Sequence, residues 1–178
     1  MDPEALAVAV LDSLLHRFRG LKRQGDGALA QCGEPDLKWR PDLESNSVLV
    51  IVQHLHGNMQ SRWTNFLTAD GDKPDRDRDG EFVERIGLSH DEILRLWEEG
   101  WTCLLSAIEA LAPNDLLREV RIRGQALTAI DAIERQLAHV GGHVGQIVWI
   151  AKYRKGASWS TLSISRGQSR QYTPSPRD

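Results

Sequence analysis

With 178 residues, 40% hydrophobic and 26% charged side chains, the chain has the size and balance of one domain able to bury a core. Its formal net charge of −3 gives no general case for nucleic acid, and no stretch approaches the about 18 uncharged apolar residues of a membrane span. Cys32 and Cys103 stand far apart and match no metal-ligand spacing or disulfide framework, so a reducing cytoplasm is the expected setting.

The opening "MDPEALAVAVLDSLLHRF" lacks a basic leader and reads as a helix, not a signal peptide. Leu6, Val10, Leu14, Phe18 and Leu21 recur at helical spacing, which predicts a first helix over 3–29 with Pro3 in its first turn. Gly25, Gly27 and "QCGEPD" are expected to loosen and end it, and "LKWRPDLESNS" to form a loop. Ser47 is the expected cap of a second helix, "VLVIVQHLHGNMQSRWTNFLT", with Val48, Ile51, Val52, Leu55, Met59 and Phe66 on its apolar face.

Residues 70–84 carry seven acids and three bases and read as a solvated loop. A calcium loop starting at Asp75 would place Gly80 correctly but puts Ile86 where the terminal carboxylate belongs. Ser89 and Glu92 form a capping box for a third helix over 89–111, stopped by Pro113. "EVRIRG" alternates briefly and suggests a short strand or irregular hairpin. Thr128 then caps a fourth helix that ends at Gly156. Beyond it lies a Ser/Arg/Gln-rich tail; from 151 onward there are six basic residues and one acid.

Four long amphipathic helices make the expected fold all-α: a four-helix bundle over residues 1–155, with 156–178 packing on or extending from the same domain. The connections are each roughly 17 residues, long enough for crossovers, so periodicity leaves the topology open.

The chemistry concentrates in "QLAHVGGHVGQIVWIAK". His139 and His143 lie four apart, on one side of a helix, where two imidazoles can share a metal. No glutamate stands between them, so the zinc-protease reading fails. Gly141 and Gly142 cost helix propensity and predict a kink or a close approach to the backbone, as at a pocket floor or a crossing helix; Gly145 adds a third small position. A third ligand must come from elsewhere. His54 flanks the apolar face of the second helix, whereas His56 points away beside Gln53 and Gln60. His54, His139 and His143 would form a three-nitrogen set with open positions, suited to Zn²⁺, Ni²⁺ or Fe²⁺. Asn58 and Arg62 continue the His54 face, one turn apart. Asn58 is a candidate to orient a ligand, and Arg62 to pair with an anionic substrate. Gln146 and Gln136 are candidate supports for the ligands. Against this stands the ordinary reading of helical histidines as structural or solvent-facing, which is also the reading for His16 and His90.

The segments "SNSVLVIVQHLHGNMQSRWTNFLT", "ERQLAHVGGHVGQIVWIAK" and "LSISRGQS" resemble the DinB/YfiT-like metalloenzyme superfamily, and within it the DUF1572 group. The resemblance implies a four-helix bundle with a long crossover, a divalent metal on three histidines (here His54, His139 and His143) and a homodimer. Related members are thiol transferases that use bacillithiol or mycothiol, or isomerases that use a thiol cofactor. Gly142 departs from the pattern, which has a bulkier residue before the second histidine. The expectation is thus a divalent-metal-dependent enzyme, thiol-dependent by resemblance, acting on a small molecule. The alternative is a non-catalytic metal-binding structural or stress-response bundle. Nucleic-acid binding is disfavoured by net charge and the acidic loop.

Overall fold

A computed structural model describes residues 2–173. Met1 and the last five residues of the expected tail, 174–178, lie outside the described residues. Among the described residues the fold is built on four long helices, a short α-helix and a two-stranded hairpin, besides short 3₁₀ turns: α1 (Pro3–Leu29), α2 (Glu34–Leu37), α3 (Val48–Trp63), α4 (His90–Glu109), β1 (Glu119–Ile122), β2 (Gln125–Thr128) and α5 (Ala129–Lys155).

The helix starts follow side-chain capping. Asp2 accepts from the Glu4 N–H, Ser47 from Val50, Ser89 from Glu92 and Thr128 from Asp131. Each satisfies a backbone donor that the helix itself cannot. Gly156, at φ 52°, ends α5 in the left-handed region that glycine tolerates.

Two expectations about helix ends are corrected. Gly25 and Gly27 do not loosen α1, which runs through both. A Cβ on Gly25 would overlap the Trp97 indole, so the glycine is there for close helix packing. α3 stops at Trp63, five residues short of the expected end, because Thr64 is extended and Asn65 turns left-handed at φ 54°. α2 is a single extra turn inside the expected loop after α1.

α3 packs chiefly on α4 and α1 on α5, and α3 also contacts α5 directly. Val48 to Leu55 of α3 are all buried, which explains a Val-rich run without strand alternation. Phe18, Leu55, Met59, Ile93, Trp101, Leu104, Ile133, Val140, Val144 and Ile147 fill the centre. Each such side chain contributes about 1.5–3 kcal/mol by leaving water.

The α3–α4 connection is not the solvated loop its charge suggests. Gln53, buried, donates from Nε2 to the Val83 carbonyl at 2.9 Å and accepts from the Arg85 N–H at 3.0 Å. Gln53 therefore lies beneath this connection rather than on an exposed side. Ser61 donates to the Gly71 carbonyl at 3.1 Å and accepts from the Lys73 N–H at 3.0 Å. These bonds fasten the acidic segment along α3.

The hairpin pairs Val120 with Leu127 and turns at Arg123–Gly124, both at positive φ (55° and 73°). Val120 and Ile122 bury one face. Ser160 donates its N–H to the Gln31 side chain just beyond α1, and Leu162 lies against Gly27. Among the described residues no helix is long and apolar enough to cross a membrane.

Candidate metal centre

α3 and α5 run side by side so that two ladders of side chains face each other. On α3 the i, i+4 series is His54, Asn58 and Arg62; on α5, in the opposite chain direction, it is His143, His139 and Arg135. The rungs meet: His54 Nε2 stands 3.0 Å from His139 Nε2, and Gln136 Nε2 donates to Asn58 Oδ1 at 2.9 Å, both amides buried. One ring nitrogen from each of His54, His139 and His143 falls within 4.8 Å of the others.

Hydrogen bonding fixes which nitrogens face inward. The Glu81 carboxylate only accepts, so His54 donates to it from Nδ1 at 2.8 Å and keeps a lone pair on Nε2. The Gln146 amide oxygen likewise accepts from His143 Nδ1 at 3.0 Å, which leaves the His143 Nε2 lone pair free. Glu81 is held in turn by Arg76, whose Nε and Nη2 reach its two oxygens at 2.7 and 2.9 Å. This carboxylate–histidine pairing is the support that metal-binding imidazoles ordinarily have. The side chains of His54 and Glu81 are only 4% and 8% exposed, so the pairing is shielded from water. Phe82 stacks on the His54 ring at 4.5 Å.

The residues fit a divalent cation. Two nitrogens about 2.1 Å from one ion stand about 3.0 Å apart at a right angle and about 3.4 Å at the tetrahedral angle. The His54–His139 spacing matches the first. His139 Nδ1 is buried and has no partner among the described residues. Without an ion, His139 Nε2–H donates to the His54 Nε2 lone pair; an ion held by both Nε2 atoms would require that proton on His139 Nδ1 instead.

Electrostatics disfavour protonation of His139 and His143. Burial, then the neighbouring His143, His54, Arg62 and Arg76, push His139 down to about 3. Burial, aided by His54 and opposed by the Gln146 hydrogen bond, also lowers His143. For Glu81 burial opposes ionisation, but the bonds from His54 and Arg76 outweigh it and hold the carboxyl below its usual range. Burial first, then Arg135 and Arg76, lowers Arg62 to about 10, still cationic at neutral pH.

The histidines open onto a cavity of about 440 Å³ that also exposes Asn58, Phe82, Gln136 and five arginines: 62, 76, 78, 123 and 135. Arg76 also lines a second cavity of about 640 Å³, together with Glu81 and, on α3, His56, Gly57 and Gln60. A Cβ on Gly57 would overlap the Glu81 carboxylate, so this glycine lets Glu81 reach His54. His56 turns away to Glu99 at 3.3 Å, and His90 bonds the Cys32 carbonyl at 3.1 Å.

The structure therefore brings His54, His139, His143, Asn58 and Arg62 to one cavity and puts Gln146 behind His143. Of the expectations for the glycines, the helix break and the crossing helix are corrected: α5 is continuous through Gly141 and Gly142. Nothing among the described residues comes within 4 Å of a Cβ on Gly142 or Gly145, and Gly141 would meet only Leu21 at 3.8 Å. Gly142 and Gly145 instead border an open cavity of about 500 Å³ with Gln146 and Trp149. Sequence reasoning missed Glu81, Arg76, Arg123 and Arg135. For Arg135 a signal existed, since it continues the His139–His143 spacing by one more turn. Glu81 was masked by the charge of its segment.

No curated protein and no solved structure matches the chain. A family model described as "Protein of unknown function (DUF1572)" matches residues 5–168, nearly the whole bundle and both histidine-bearing helices. That coverage agrees with the resemblance of its helix signatures to the DinB/YfiT-like superfamily, and the chain belongs to the DUF1572 family.

Proposed function

We propose that the protein holds one divalent cation on His54, His139 and His143 and uses it in an enzymatic reaction on a small molecule in the adjoining cavity. The observation that carries the reading is the convergence of the three imidazoles, with Nδ1 of His54 and of His143 each committed to an acceptor. A cation bound there would lower the pKa of a thiol or water and polarise an oxygen of the substrate.

The chain's own residues supply the rest. Glu81 and Gln146 orient two ligands and fix their tautomers. Phe82 covers His54 and limits water. Asn58 and Gln136 form a neutral, hydrogen-bonded cavity wall. The arginines favour negative charge in the substrate. No general base is assigned: Glu81 is tied up by Arg76 and His54. The resemblance to thiol transferases favours a low-molecular-weight thiol such as bacillithiol or mycothiol as co-substrate. A homodimer, a cytoplasmic setting and one bundle domain with an appended tail belong to the same proposal.

Elemental analysis of the purified protein tests it. About one Zn, Ni or Fe per wild-type chain is expected, and none in His139→Ala with its helical circular-dichroism spectrum intact. Equal, negligible metal in both sinks the proposal. A metal-loaded protein inert towards a panel of thiols and electrophiles, with its coordination sphere closed by a fourth protein ligand, would instead favour the non-catalytic bundle.

A further inference from the structure

The cavity is charged in a lopsided way. Five arginines line it, and among the described residues no carboxylate does. Three of the five have an acidic partner, which for Arg78 and Arg123 is a solvent-exposed pair. Arg76 is paired with Glu81 and Asp72, Arg123 with Asp72 at 2.9 Å, and Arg78 with Asp79 at 3.7 Å. The guanidinium groups of Arg62 and Arg135 make no hydrogen bond or ion pair with any described residue, and the Arg62 Nε–H is buried without an acceptor. A half-buried guanidinium beside other cations is an unfavourable arrangement unless an anion completes it.

The hairpin adds a second, independent observation. Its two-residue turn needs positive φ at both central positions, which asparagine–glycine supplies most easily. Here the first position is Arg123 at φ 55°, a conformation that costs a β-carbon-bearing residue about 1–2 kcal/mol. The turn is clamped by Asp70, which accepts the Arg123 N–H at 2.8 Å and the Gly124 N–H at 2.7 Å. An arginine thus stands where glycine or asparagine would be easier, and its side chain lines the cavity.

We propose that Arg62, Arg135 and Arg123 form an oxyanion subsite, and that the substrate is a small molecule carrying a carboxylate or a phosphate at the end away from the histidines. Guanidinium groups match both anions through paired N–H donors. Two helical turns separate His54 from Arg62, a rise of about 12 Å, so the anionic group and the group facing the histidines are different parts of one molecule. A cavity of about 440 Å³ suits a metabolite, not a polymer. The subsite depends on the metal reading only for what happens at the other end.

Calorimetric titration with sodium malonate and with inorganic phosphate, at constant ionic strength in chloride, tests this. The proteins are wild type, the double variant Arg62→Gln/Arg135→Gln, and metal-free His139→Ala. Saturable binding is expected in wild type and retained in His139→Ala, and weakened about tenfold or more in the double variant, as loss of charged hydrogen bonds implies. Malonate preference marks a carboxylate substrate and phosphate preference a phosphate ester; either supports the subsite. Arg62→Lys/Arg135→Lys, which keeps the charge and loses the paired donors, should fall between wild type and the glutamine variant, so a general folding defect is distinguishable. Three results overturn the proposal: no binding beyond chloride, unchanged binding in the glutamine variant, or binding that disappears in His139→Ala while surviving in the glutamine variant. The last would put the anion on the metal. Failure of metal retention in wild type with anion binding intact would sink the metal reading alone.

Discussion

Glu81 decides what His54 can do. Without an acceptor at Nδ1, the His54 imidazole could place its proton on either nitrogen; with the carboxylate 2.8 Å away, Nε2 is committed to the cavity. Glu81→Gln keeps an acceptor but removes the charge, and metal affinity in a chelator competition should fall about 10- to 100-fold. Gly57→Ala should move affinity the same way without touching a ligand, because its Cβ displaces the carboxylate. Unchanged affinity in both variants would mean that Glu81 only anchors its loop through Arg76. His139 makes a further prediction for the chelated protein. Its pKa falls from 6.5 in the unfolded chain to about 3 in the fold. Between those values the unfolded state binds more protons, so stability rises with pH. The contribution is complete above about 6.5 and is lost as pH falls towards 3. In His139→Asn, denaturant midpoints measured across that window should lose part of this slope. The histidines, Asn58 and Arg62 were legible because each pair needs only four-residue spacing on a helix. Glu81 was not, since its partner lies 27 residues away and nothing local announces the contact.

At the scale of elements, the hairpin and the acidic connection act together. Asp70 and Asp72 leave the connection to hold the hairpin tip, and the Gly71 N–H donates to the Arg121 carbonyl at 2.8 Å. Strand alternation in "EVRIRG" announced the hairpin, capping residues announced α3, α4 and α5, and apolar spacing with Pro3 announced α1. The connection's negative charge concealed its structural role, because acids that satisfy backbone N–H groups look in sequence like acids that face water. The turn supplies a sharp test. Arg123→Gly removes the left-handed strain, about 1–2 kcal/mol, and loses an exposed pair with Asp72 that contributes at most about 1 kcal/mol. The variant should therefore unfold at equal or higher denaturant concentration while binding malonate or phosphate more weakly. A destabilised variant with unchanged anion binding would assign Arg123 to the scaffold. Asp70→Ala should act oppositely on stability, losing about 1–3 kcal/mol as two turn N–H groups lose their acceptor.

For the whole molecule, the three histidines bridge two halves of the bundle. α1 pairs with α5 and α3 with α4, and His54 on α3 meets His139 and His143 on α5 across the seam. Helix periodicity could identify the four helices but not their pairing, since connections of this length permit several topologies. An ion at the seam links segments about 85 residues apart in sequence, a site the unfolded chain cannot preform. Binding to the folded state alone stabilises it by about 2.7 kcal/mol at free metal a hundredfold above Kd. For a chain of this length that corresponds to a rise in Tm of about 5–10 °C. Scanning calorimetry of wild type, chelated and then reloaded with the native metal, should show the rise. His139→Ala should melt near the chelated wild type and not respond to added metal. If metal shifts both proteins equally, the ion binds elsewhere, and the seam is held by packing and the His54–His139 hydrogen bond alone.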